Sequence, residues 1–258
     1  PNPIFAKWTS RGFLGLEAFD VERWKRLHFS ADDGLFYYSP FLLLAIPGLI
    51  LMARRRHLRA EAVFCGAIIA FFFYFLGALV LISGWDVGPR YGIVALPFYI
   101  PPVAYLFYEL RRWWWALAAP AAAALVSVLI YLSVGAIFPH FPDNFSDPLF
   151  DLTWRFAAAG YVSYNLGWLV GLRGSLSLLP YGLAALAVVG LAVWGSARGW
   201  RRAALFGVSV GLAALLLYGQ WSTLSAREKP VPLRFLPWME RIWEPRHEAL
   251  RPQELMRW

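Results

Sequence analysis

The run Gly84-Trp85-Asp86-Val87-Gly88-Pro89-Arg90-Tyr91 joins two long apolar stretches and carries one acid and one arginine four residues apart. A guanidinium at a membrane surface can hold a phosphate through two parallel N–H donors, which suits a polyprenyl-phosphate or phospholipid headgroup. Two plainer uses compete with that one. Arg90 can pair with Asp86, or it can anchor a helix end at the interface. Trp85, Asp86, Arg90 and Tyr91 are the candidate substrate-binding residues. The acids that could face outward are Asp32, Asp33, Asp86, Asp143, Asp147 and Asp151. Sugar transfer to a hydroxyl needs a carboxylate base and cationic help for the departing phosphate. Asp143 and Asp147 stand beside proline and asparagine, where turn capping explains them equally well.

No other constellation carries chemistry. Cys65 is the single cysteine, so no intrachain disulfide can form. His28, His57, His140 and His247 lie far apart, none with metal-ligand spacing, and no metal site is expected. Neither a dinucleotide-binding glycine motif, nor a phosphate-binding loop, nor a nucleophile elbow occurs. No cofactor is evident. The catalytic residues and any dependence on a divalent metal stay open.

The elements that must position these residues are membrane spans. Apolar stretches run over 36–53, 62–83, 91–108, 113–138, 176–194 and 203–221. Each approaches or exceeds the roughly 20 residues that cross a ~30 Å hydrocarbon core. The composition agrees: 59% hydrophobic, 18% aromatic and 16% charged residues. The expected fold is an all-α polytopic bundle of about six spans in a lipid bilayer, with an outer interfacial or re-entrant helix.

The net charge of +8 would suit a nucleic-acid partner, but its placement argues against one. Arg54, Arg55, Arg56 and Arg59 follow the first stretch, Arg111 and Arg112 the third, and Arg198, Arg201 and Arg202 the fifth. The intervening loops hold only Arg90, then Arg155 and Arg173 beside Asp143, Asp147 and Asp151. That alternation is the positive-inside pattern. It puts the three arginine-rich loops in the cytoplasm, and both termini with the loops 84–90 and 139–175 outside. The chain begins at Pro1 with no signal-peptide pattern. An external start is then expected to follow upstream helices of a longer protein, with signal cleavage as the alternative.

Residues 1–35 mix charges with Phe13, Leu14, Leu16, Phe19 and Trp24, and read as an external segment with a short interfacial helix. Pro97, Pro101 and Pro102 must kink or break the third span, and carbonyls so freed could line an outer cavity. Trp113, Trp114 and Trp115 read as an aromatic belt. Residues 152–173 turn apolar but are weakened by Gly160, Asn165, Gly167 and Gly171. They could form an interfacial or re-entrant helix, or a seventh span; the charge pattern favours the interfacial reading. Gly207 and Gly211 form a GxxxG pair, expected to serve internal packing, with dimerisation as the other use. The tail 222–258 is external and rich in proline and tryptophan. No internal repeat is visible.

Three further runs carry a resemblance. GLFYYSPFLLLAIPGLILMARRR (34–56), GWDVGPRYGIVALPF (84–98), and FPDNFSDPLFDL (141–152) followed by NLG and LRGSLSLLP (172–180) occur in matching order. Together they resemble the later membrane half of bacterial GT-C-type glycosyltransferases, the group that includes protein O-mannosyltransferases and lipid A aminoarabinose transferases. The resemblance covers roughly residues 10–185. It implies transfer of a sugar from a polyprenyl-phosphate donor to a lipid, glycan or protein acceptor on the outer membrane face; the lack of cysteine pairs and the high Ala, Leu and Arg content suggest that the membrane is a bacterial inner membrane. The resemblance also implies that Arg90 contacts the donor phosphate. The family's acidic catalytic motif lies in a first outer loop that nothing here matches, so no catalytic residue carries over, and the chain alone is expected to be inactive. The alternative is a non-catalytic membrane subunit or scaffold; a transporter fits less well, since the span interiors are almost uncharged.

Overall fold

The computed structural model describes residues 12, 13, 15–80, 87–138, 145, 147–158, 160, 162–196 and 198–222. Among them the chain is helical, and extended pairing is limited to isolated bridges, Phe13 with Leu16 and Leu16 with Leu79. Five helical runs are long and apolar enough to cross a membrane: Arg56–Ala78, Arg90–Leu110, Trp114–Ile137, Gly174–Gly195 and Trp200–Ser222. The protein is therefore an all-α polytopic membrane protein. The chain divides into two compact units, Pro1–Trp113 and Trp114–Trp258, a boundary that falls within the apolar region 36–221.

The first unit contains α1 (Val21–Phe29), α2 (Leu35–Tyr38), α3 (Ala45–Ala53), α4 (Arg59–Ala78) and α5 (Leu96–Leu110). The first expected span does not form one helix. Proline disfavours the α conformation in the residue before it, and Ser39 sits at φ −129°, ψ 62° ahead of Pro40. Beyond that break the helical run Pro40–Ala53 is shorter than a span. The third stretch is helical in two pieces. A 3-10 segment, Arg90–Ala95, gives way to α5 near Pro97, which occupies the first turn, where its missing N–H costs nothing. Pro101 and Pro102 stay inside α5.

α3 packs on α5, and α4 lies against both. Close approach rests on Gly48, where an added Cβ would stand 2.1 Å from the Pro102 carbonyl oxygen. Leu35, Phe36, Ala45, Ala95, Tyr99 and Val103 form a buried cluster in this unit. The segment before the spans is docked on α4. Glu17 N–H donates to the Ala78 carbonyl at 2.9 Å and Asp20 N–H to that of Gly77 at 3.0 Å. Those carbonyls end α4 and have no partner within the helix. The Phe19 ring lies over Gly77, where a Cβ would meet it at 2.3 Å, and stacks on Tyr74 at 5.3 Å.

The second unit is built around α6 (Ala118–Ile137). It also holds α7 (Trp154–Ala158), α8 (Leu166–Leu169), α9 (Leu179–Ser196) and α10 (Trp200–Ser222). α9 and α10 both pack on α6. Each presents a narrow stripe at i+4 spacing: Ala185, Val189 and Val193 from one, Leu205, Ser209 and Ala213 from the other. Among the described residues the GxxxG pair is not used for packing inside this unit. Gly207 and Gly211 are exposed, and a Cβ on either would meet nothing within 4 Å.

Among the described residues, 152–173 form no helix long enough to be a seventh span. A π-helical turn, Leu149–Thr153, leads into α7, and the four-residue α8 follows. Asn165 explains the fragmentation. Its side chain accepts from Gly167 N–H at 2.9 Å and donates to Ser177 Oγ at 2.9 Å, so it serves a local turn rather than a helix interior. Gly167 then lies against the backbone of Ser177, 2.1 Å from the carbonyl oxygen to a hypothetical Cβ.

Candidate functional site

Arg90 opens the spanning run Arg90–Leu110 and is exposed. Its position is set by a turn in which Gly88 adopts φ 74°, a left-handed conformation that glycine takes without strain. Pro89 follows, and Gly92 N–H donates back to its carbonyl at 2.8 Å. The guanidinium carbon lies 5.2 Å from the centre of the Tyr91 ring, and Nη2 donates to the Tyr91 hydroxyl at 3.4 Å. The structure thus brings two of the four candidate residues together, an arginine braced by a neighbouring aromatic. Trp85 and Asp86 lie outside the described residues.

The other candidate acids divide into distinct environments. Asp32 and Asp33 both face Arg26, whose Nε stands 2.8 Å from Asp32 Oδ2 and whose Nη2 donates to Asp33 Oδ2 at 3.1 Å. The Ser30 hydroxyl also donates to Asp32, and the Tyr38 hydroxyl to the Ala31 carbonyl. This knot ties the turn between α1 and α2, and Asp33 is buried in it. Two carboxylates so engaged are structural in this arrangement. Sequence reading missed Arg26 because a chain reversal, not a helical period, brings it to residues six and seven positions ahead.

Asp147 is fully buried, and its Oδ1 accepts from Phe150 N–H at 3.1 Å, the capping role that its neighbours suggested. Asp151 is a quarter exposed. Burial pushes its carboxyl above the usual carboxylate range, and Arg155 at 3.9 Å partly offsets this. Asp143 lies outside the described residues. Among the described residues no group of three or more His, Cys, Asp or Glu side chains could hold a metal ion.

His28 is the buried titratable group that spacing could not reveal. It is fully buried at the end of α1, with its ring 4.0 Å from that of Phe73 and 5.3 Å from that of Trp24. Nδ1 bonds the Trp24 carbonyl at 2.8 Å, while Nε2 has no hydrogen-bond partner. Desolvation holds the imidazole below its ordinary 6.5, so the ring is neutral. Its one outward signal was its place beside Phe29 and four residues after Trp24. No protein-family profile, no curated protein and no solved structure matches this chain.

Proposed function

We propose that this chain is the membrane portion of a glycosyltransferase that moves a sugar from a polyprenyl-phosphate donor to an acceptor lipid, glycan or protein on the outer membrane face. The reading places the protein in a bacterial inner membrane, with the arginine-rich loops inside and both termini outside, and puts the catalytic carboxylate on a loop upstream of Pro1. The observation that carries it is Arg90: exposed, held at the head of a spanning helix by Gly88 and Pro89, and braced by Tyr91. A phosphate in the headgroup layer would meet a cation already fixed in position, which lowers the ordering cost of binding. In the reaction the same cation would neutralise charge developing on the departing phosphate. Trp85 and Asp86 belong to the same short loop and would border the donor.

The sequence runs at 34–56, 84–98 and 141–180 support the reading, as does the polytopic helical architecture. Asp32, Asp33 and Asp147 are engaged in turn and capping contacts, and the base is assigned elsewhere because the resemblance implies an acidic motif in a first outer loop that this sequence does not match. The test is sugar transfer by the full-length protein carrying Arg90→Ala, with insertion checked by protease accessibility. Loss of one preorganised donor to the developing charge predicts a fall of about 10²–10³ in turnover. Near-normal transfer by a well-inserted variant would remove the donor-phosphate assignment and leave a scaffold role.

A further inference from the structure

A second cationic surface lies at the opposite chain end of α5. The turn after α3 and the C-terminus of α5 gather Arg54, Arg55, Arg56, Arg59, Arg111 and Arg112 against two carboxylates, Glu61 and Glu109. All six arginines are exposed. Glu109 ties the two segments together: Arg55 Nη2 donates to its Oε1 at 3.0 Å, the Tyr105 hydroxyl donates to the same oxygen at 2.7 Å, and Arg112 Nη2 stands 3.7 Å from Oε2. Arg55 Nε also donates to the Tyr105 hydroxyl at 3.1 Å. Arg59 Nε donates to the Ala53 carbonyl at 3.1 Å, and Arg111 lies 3.8 Å over the ring of Tyr108. Among the described residues the guanidinium groups of Arg54 and Arg56 meet no carboxylate.

We propose that this crown binds the headgroup phosphate of an anionic phospholipid in the leaflet that it meets. Charge alone would fit many anions, but the crown is continuous with exposed apolar surface. Ile50 precedes Arg54 by one helical turn, Val63 follows Arg59 by one, and Tyr108 and Trp113 flank Arg111 and Arg112. Those side chains lie on or beside the apolar helices, so the arginines stand where headgroups meet acyl chains, and a phosphodiester lipid meets both surfaces at once. Basic clusters at helix ends attract anionic lipid with about fivefold in affinity for each arginine near the headgroups. Glu109 fixes the geometry and competes for part of the charge, so its removal frees Arg55 and Arg112 for the lipid.

The proposal is independent of glycosyl transfer and is tested by native mass spectrometry of the chain in neutral detergent, offered phosphatidylglycerol and phosphatidylcholine with identical acyl chains. Preferential retention of phosphatidylglycerol is expected. The Arg54→Gln/Arg56→Gln variant should weaken it about thirtyfold, with phosphatidylcholine unchanged. Glu109→Gln should act in the opposite direction and raise retention, a result that loss of folding cannot produce. A large excess of inorganic phosphate should leave the lipid bound. Unchanged retention in the double arginine variant, a fall in Glu109→Gln, or displacement by inorganic phosphate would each overturn it.

Discussion

Gly48→Ala isolates the contact that sets the spacing of the first unit. The new methyl group would stand 2.1 Å from the Pro102 carbonyl oxygen, 2.5 Å from its carbon and 3.1 Å from its Cα. Carbon and oxygen pack at about 3.3 Å even in close C–H···O contacts, so α3 and α5 must part by about 1 Å locally. The obstacle is backbone, and no rotamer change relieves it. Overpacking of this kind costs about 1–3 kcal/mol, against about 1 kcal/mol that alanine returns in helix propensity. The clash falls at the severe end of that range, and a net loss of about 1–2 kcal/mol is expected. Thermal unfolding in mild detergent, followed by circular dichroism, reads this directly. Gly211→Ala is the matched control, because its methyl group meets nothing within 4 Å. Equal midpoints for the two variants would refute the packing argument.

Asn165→Ala removes a cap on Gly167 and the hydrogen bond to the fully buried Ser177 hydroxyl. A loss of about 1–2 kcal/mol is expected, and restored stability in Asn165→Asp, which keeps the cap alone, should be only partial. His28 makes stability depend on pH. Its folded pKa lies below the ordinary 6.5, so the unfolded chain binds the extra proton first. Stability should be level above about pH 7 and fall as pH drops through 6.5 toward the folded value, and His28→Phe should flatten that part of the profile. A slope that survives the substitution would assign it to other groups.

The spans were legible because a membrane imposes length and apolarity together, and the third to sixth helical runs begin and end near the expected residues, whereas the second, expected over 62–83, runs Arg56–Ala78. Ser39-Pro40 shows where that logic stops. Hydropathy is blind to the backbone conformation that a proline forces on the residue before it, so the first stretch looked whole. Gly207 and Gly211 show a second limit, since spacing says that a face is narrow but not what faces it. The Arg90 turn could be read because glycine, proline and arginine are adjacent in sequence. Arg26 with Asp32 and Asp33, and Arg55 with Glu109, could not, because the partners meet only after the chain has reversed. Glu109 did leave one trace, as the acid beside Arg111 and Arg112 at the end of an otherwise uncharged stretch.

The capping of α4 by Glu17 and Asp20 has a consequence for biogenesis. The donors are synthesised some sixty residues before the carbonyls that they satisfy. The donors are thus already made when the last turn of α4 is completed, but they can reach its carbonyls only when the two segments lie side by side. Closure must therefore wait until the completed span lies beside the earlier segment, with Phe19 seated on Gly77. The N-terminal segment is tied by backbone hydrogen bonds to the far end of a helix completed some sixty residues later, a pairing of high sequence separation within the first unit.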